Sequence, residues 1–181
     1  MVKGRINELI QQVCEVRKHI SGMSYPVRSS DPEGVKALSL LRKLGEELQA
    51  ALVTNEKGVA FRISKGQSNL PTVLWVAFLP VGRKAYDSYS VGVCFDTRGK
   101  GVIVGLMDPA GFPQKKLPTI NRTNDKLCQL NVNGPKRNTH FNDRFVNPRE
   151  FLQKKIDEKN FLNHLDESLS LLIEVHSNRF R

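Results

Sequence analysis

Apolar positions in the first third of the chain recur every three or four residues. Ile6, Leu9, Ile10, Val13, Val16 and Ile20 have the spacing of one helix face. Ser21-Gly22 stops this helix, and Tyr25-Pro26 keeps the linker extended. A second helix is expected to start sharply at Asp31. Asp31 is a good N-cap, Pro32 suits the first helical position, and Glu33 favours the positive end of the helix dipole. Its apolar stripe is Val35, Leu38, Leu41, Leu44, Leu48 and Leu52. Gly45 weakens the interior of that helix and marks close packing against another element.

The period then drops to two. Val59–Ile63 alternates and reads as a strand. Val73–Leu79 is almost continuously apolar, which fits a central strand buried on both faces. Tyr89–Phe95 alternates again, with Tyr89, Val91, Val93 and Phe95 on one side. After the turn Asp96–Gly101, a further strand runs to Met107. The loops joining the last three strands are too short for crossover helices, so an antiparallel meander is expected. Gly92 and Gly105 each leave room for a bulge or a close neighbour. From Asp108 to Asn147 the sequence reads mostly as loop, with Lys126–Val132 as one candidate short strand. The helical pattern resumes at Asn147-Pro148-Arg149-Glu150, read as an N-cap, a first-turn proline and a capping-box acceptor. Phe161, Leu165, Leu169, Leu172 and His176 then recur at helical spacing. The expected fold is α+β: a mainly antiparallel sheet, with strands near 59–63, 73–79, 89–95 and 101–107, flanked by N-terminal and C-terminal helices. It forms a single domain over 1–181, with helices in 1–55, sheet and basic loops in 56–149, and helices in 150–181.

Composition bounds the class. With 181 residues, 39% hydrophobic and 25% charged, the chain suits one folded domain and argues against disorder. No apolar run approaches the ~20 residues of a membrane span. The N-terminus MVKGRINELI lacks the apolar core of a signal peptide, so a cytoplasmic location with no membrane partner is expected. Cys14, Cys94 and Cys128 are far apart and lack CxxC spacing, which suits buried thiols rather than a disulfide framework or zinc site.

Charge changes the picture. A net charge of +10 points to a polyanion, either nucleic acid or an anionic membrane surface. Between Pro113 and Arg149, Lys115, Lys116, Arg122, Lys126, Lys136, Arg137, Arg144 and Arg149 face only Asp125 and Asp143. These charges sit among Asn, Thr, Gly and Pro, and loops of that composition commonly contact phosphates. Lys115, Lys116, Arg122, Lys136, Arg137 and Arg144 are the candidate phosphate contacts. DNA is therefore the favoured ligand.

Catalytic chemistry finds little support. There is no GxxxxGK[ST] motif for a P-loop. His19, His164 and His176 read as helix-surface or C-terminal residues. His140 lies in Thr139-His-Phe-Asn-Asp143. A small metal-dependent nuclease using that His140–Asp143 loop is the enzymatic alternative, but partner ligands at the required spacings are not found. Asp157-Glu158-Lys159 reads as a solvated helical face. No catalytic residue, metal ligand or cofactor is expected. Trp75 carries two readings: a tryptophan in a central strand is ordinarily core, and one at the start of its strand, beside a polar loop, can also line a pocket where flat bases stack.

One constellation is familiar. Gly66-Gln67-Ser68-Asn69 leads into Trp75-Val76-Ala77-Phe78-Leu79, and a loop then leads into Tyr89-Ser90-Val91-Gly92-Val93-Cys94-Phe95. Over residues 60–107 this resembles the N-terminal DNA-recognition domain of McrB, the targeting subunit of modified-cytosine-dependent restriction systems. The resemblance implies a phage-defence module that reads modified double-stranded DNA, such as methylcytosine, by flipping the base into a pocket at the sheet end. It implies Trp75, Tyr89, Val93, Ser68 and Asn69 around the base, with Gly66 and Gln67 in the loop that enters the duplex. The characterised family member has an aromatic where this chain has Gln67, and glutamine can fill the gap but stacks poorly. The resemblance further implies a fragment of a larger restriction protein, with motor and nuclease parts outside this sequence. A reader of unmodified DNA sequence is the remaining alternative.

Overall fold

The computed structural model describes residues 4–84, 88–109, 129–136 and 139–178. Helices α1 (Arg5–Ser21) and α2 (Pro32–Leu52) precede strands β1 (Val59–Ile63), β2 (Trp75–Pro80), β3 (Ser90–Phe95) and β4 (Gly101–Met107). Strand β5 (Arg149–Leu152) and helix α3 (Glu158–Asn178) complete the order. The five strands form one sheet in the order β1-β2-β3-β4-β5, and every neighbouring pair is antiparallel. The α+β meander flanked by N-terminal and C-terminal helices is therefore the observed fold.

Alternation along the strands assigns the two faces. Leu74, Val76 and Phe78 join Tyr89, Val91, Val93 and Phe95, and Val102, Val104 and Leu106, against α1, α2 and α3. This is the main core, and Phe78, Phe95, Phe161, Leu41 and Leu44 are among its largest fully buried side chains. The opposite face carries a smaller cluster of Val73, Cys94, Ile103 and Met107, capped by Leu130, Val132 and Phe145. Burial on both faces explains why β2, β3 and β4 read as nearly unbroken apolar runs.

Gly45 is required by packing. A Cβ there would lie 2.4 Å from the Phe61 ring, so the missing side chain lets α2 settle onto β1. The β3–β4 turn is held from within: Asp96 accepts hydrogen bonds from the backbone N–H groups of Arg98, Lys100 and Asn131. Buried Arg17 of α1 donates through Nε to the Thr97 carbonyl at 2.8 Å and ties the helix to that turn.

Four expectations about individual elements need correction. Asn147-Pro148-Arg149-Glu150 does not start a helix. Arg149–Leu152 is the edge strand β5, paired with Gly101–Val104, and Asn147 instead spends its side chain on Leu106 N–H and Ser168 Oγ. The last helix starts later, where Asp157 accepts from the backbone N–H groups of Lys159 and Asn160. Val35 is 55% exposed, and Ala37 and Leu40 take its place in the buried stripe of α2. His164 is buried, not on the surface, with Nε2 3.2 Å from the Val104 carbonyl and 3.0 Å from that of Asn147. Within 126–132, residues 126–128 lie outside the described residues, and Gln129 to Val132 form no strand, although Leu130 and Val132 are buried.

Candidate nucleic-acid interface

The loop from Ser64 to Pro71 closes on itself at its base. Ser64 N–H donates to the Trp75 carbonyl, and Trp75 N–H donates back to Ser64 Oγ, both at 3.0 Å. Its far side is pinned to the α1–α2 linker. Ser29 N–H donates to the Ser68 carbonyl, Ser29 Oγ to the Lys65 carbonyl, and Leu70 N–H to the Val27 carbonyl, at 2.8–2.9 Å. Gly66 makes the bend with φ +70, and a Cβ there would strike the Asn69 carbonyl oxygen. Between these pins Gln67, Ser68 and Asn69 are exposed. The loop is thus a fixed platform with polar side chains at its tip, which lowers the ordering cost of a contact.

Beside this loop an open cleft of about 650 Å³ runs along the β1 edge of the sheet. Phe61, Ile63, Trp75 and Leu79 line it, with Arg42, Arg62, Lys65, Arg83 and Lys84 around them and, among the described residues, Glu46 as its one acid. Trp75 is half-buried: it packs against the smaller cluster of Val73 and Cys94 and also lines the cleft. An aromatic ring beside clustered cations is the combination that stacks a base and attracts its phosphate.

The base pocket expected around Trp75, Tyr89 and Val93 is not assembled. Trp75 pairs with Cys94 across β2–β3 and shares its face, while Val93 pairs with Val76 on the helix-covered face. Tyr89 and Val93 are buried in the main core beneath the helices. Alternation therefore puts the sheet itself between Trp75 and the other two side chains. Ser68 and Asn69 are exposed on the loop and are not among the residues that line the cleft with Trp75, and Gly66 and Gln67 sit at the exposed bend.

The expected phosphate contacts divide similarly. Lys115, Lys116, Arg122 and Arg137 lie outside the described residues. Lys136 is exposed. Arg144 is a brace: Nε and Nη2 donate to the Asp108 carbonyl at 3.1 and 2.8 Å, and the guanidinium sits 5.3 Å from the Phe141 ring centroid. Burial lowers its pKa, with Cys94 and Asp108 opposing. The cations that the fold does bring together, Arg42, Arg62 and Lys65, are scattered in sequence. Only the alternation of β1 and the helix spacing of α2 hinted at their shared edge.

The His140–Asp143 loop has a structural use. Asn142 Oδ1 accepts from Val132 N–H, its Nδ2 donates to the Leu130 carbonyl, and its backbone N–H donates to Asn133 Oδ1. Among the described residues no group of three or more His, Cys, Asp or Glu side chains is arranged to hold a metal ion. The buried thiols of Cys14 and Cys94 are pushed up to about 12 by desolvation, which leaves them protonated and poor nucleophiles. No helix among the described residues is long and apolar enough to cross a membrane.

No family model, curated protein or solved structure matches this chain.

Proposed function

We propose that this chain is a DNA-binding recognition module that reads with the Ser64–Pro71 loop and Trp75. The observation that carries the reading is the half-buried Trp75 in a cation-lined cleft at the root of an exposed, doubly pinned loop. Phosphates would be drawn to Arg42, Arg62 and Lys65, while Gln67 and Ser68 offer an amide and a hydroxyl to base edges. The finer reading follows the resemblance to McrB: a methylcytosine-like base turned out of the duplex, with Gln67 left in its place. In this geometry the flipped base stacks on Trp75 alone, at the cleft, and Tyr89 and Val93 serve the core. Flipping costs a few kcal/mol, offset by stacking and edge hydrogen bonds. In a restriction system such a module would direct motor and nuclease parts and do no chemistry itself.

The test is anisotropy binding to otherwise identical duplexes carrying cytosine, methylcytosine, hydroxymethylcytosine or methyladenine. Binding should weaken with salt, each neutralised phosphate adding about 0.9 to the log–log slope. Trp75→Ala should lower affinity for the preferred duplex by ~1–3 kcal/mol and for the others by less. Equal losses on all four duplexes would remove the base site. Failure of every duplex to bind at low salt would remove the DNA reading altogether.

A further inference from the structure

The outer edge of β1 carries hydrogen-bonding groups with no partner among the described residues. Val81 N–H donates to the Gly58 carbonyl and Ser64 N–H to the Trp75 carbonyl, which fixes the even-numbered positions as those bonded to β2. Phe61 and Ile63 therefore turn their N–H and C=O groups outward. The same outward row is occupied on either side of them: Val59 N–H donates to the Thr54 carbonyl, and the Lys65 carbonyl accepts from Ser29 Oγ. The opening is thus bounded at both ends and fits one short strand.

Its surroundings select the strand's chemistry. Phe61 and Ile63 are half-buried on the helix-covered side, beside α2. Arg62 lies on the other side, paired with Ala77, and is exposed. Arg42, Lys65, Arg83 and Lys84 line the same cleft against Glu46. A second copy is a poor occupant, because antiparallel β1–β1 pairing centred on the opening sets Arg62 against Arg62, and like charges directly opposite are destabilising. A bare polyanion would meet the cations but leave the four backbone groups unused.

We propose that β1 is a strand-addition site for an extended acidic peptide segment of a partner protein, which joins the sheet as a sixth strand with alternating apolar and acidic residues. The apolar residues cover Phe61 and Ile63, and the acidic ones meet Arg62 and its cationic neighbours. Backbone pairing supplies affinity, and alternate side chains supply selectivity. The segment approaches the cleft used in the DNA reading, so the two ligands compete, although the strand site does not depend on that reading.

The experiment uses the full chain and a fluorescein-labelled eight-residue peptide of alternating Val and Glu. Controls are the same peptide with its central residues replaced by Pro, an octaglutamate, and a single-stranded oligonucleotide of equal charge. The alternating peptide should bind about tenfold or more tighter than its Pro-bearing version, and it should slow hydrogen exchange at the Phe61 and Ile63 amides. Ile63→Pro should abolish this preference, because the proline removes an outward N–H and no β2 bond. Exchange in the unliganded native chain keeps the proposal open to refutation if that variant misfolds: Phe61 and Ile63 amides already protected there would show the edge to be covered. Dimerisation that protects those amides, or binding of octaglutamate and oligonucleotide as tight as that of the alternating peptide, would also overturn it. Peptide binding with no duplex binding would leave the strand site standing and remove only the DNA reading.

Discussion

The helix side of the sheet and its β1 edge are built from similar residues to opposite ends. Under the helices, Phe78, Val91 and Val93 are fully buried among side chains from α1, α2 and α3. At the β1 edge, Phe61, Ile63 and Trp75 are only half-covered and stand among exposed cations. The first arrangement maximises the apolar area taken from water. The second keeps flat apolar surface next to charge, which adds little to stability and suits ligand contact. A tryptophan in the most apolar run of a sequence can therefore belong to the surface, while a tyrosine in a mixed run belongs to the core.

Substitutions on the two sides should separate these roles. Phe78→Ala should produce the largest effect, lowering stability by ~3–5 kcal/mol in denaturant unfolding, because the cavity opens in the main core where β1, β2 and β3 meet beneath the helices. Trp75→Ala should lower stability much less than Phe78→Ala and affect DNA affinity more. Should the Trp75 variant unfold as easily as the Phe78 variant, Trp75 is core and the comparison fails.

Gly45→Val probes the join between the two regions. Its branched side chain would collide with the Phe61 ring, which holds one wall of the edge cleft. Overpacking of this kind costs ~1–3 kcal/mol, with a further helix contribution of opposite sign from replacing glycine. Hydrogen exchange should show the loosening concentrated in β1. A uniform loss over all five strands would mean that the edge is part of the cooperative core.

The fold was legible because periodicity reports burial directly. The change from a spacing of three or four to one of two after Leu52 separates helices from strands, and the short connections leave a meander as the simple topology. The site was less legible because it depends on register. Alternation in 73–79 and in 89–95 is visible in the sequence, but which face of one matches which face of the other is set by the pairing of Trp75 with Cys94. A shift of one residue would have put Trp75 and Val93 together. Strand β5 was hidden for a different reason: Asn-Pro-x-Glu is a sound helix-start signal, and the docking of Phe151 against Phe161 and the main core outweighs it. The cationic edge draws on α2, β1 and the turn after β2, so no window of the sequence contains it.

The smallest expected effect concerns His164, which belongs wholly to the helix side. Desolvation lowers its pKa below the ordinary 6.5; the Val104 and Asn147 carbonyls and Glu167 pull it upward, and Arg149 pushes it down. The first of these dominates, so the folded chain holds a neutral imidazole whose Nε2 hydrogen bonds the two carbonyls. As pH falls below ~6.5 the unfolded chain takes up the proton first, so stability is full above that value and declines until the folded-state pKa is reached. One such group limits the slope to about 1.4 kcal/mol per pH unit. His164→Asn should lower stability at neutral pH and flatten the unfolding midpoint between pH 7 and pH 5. The β1 edge has no histidine among its described lining residues, so hydrogen exchange at Phe61 and Ile63 should change over that range only as far as intrinsic exchange rates do. A decline that persists unchanged in the Asn variant would assign the acid sensitivity to another group and leave His164 as a packing residue only.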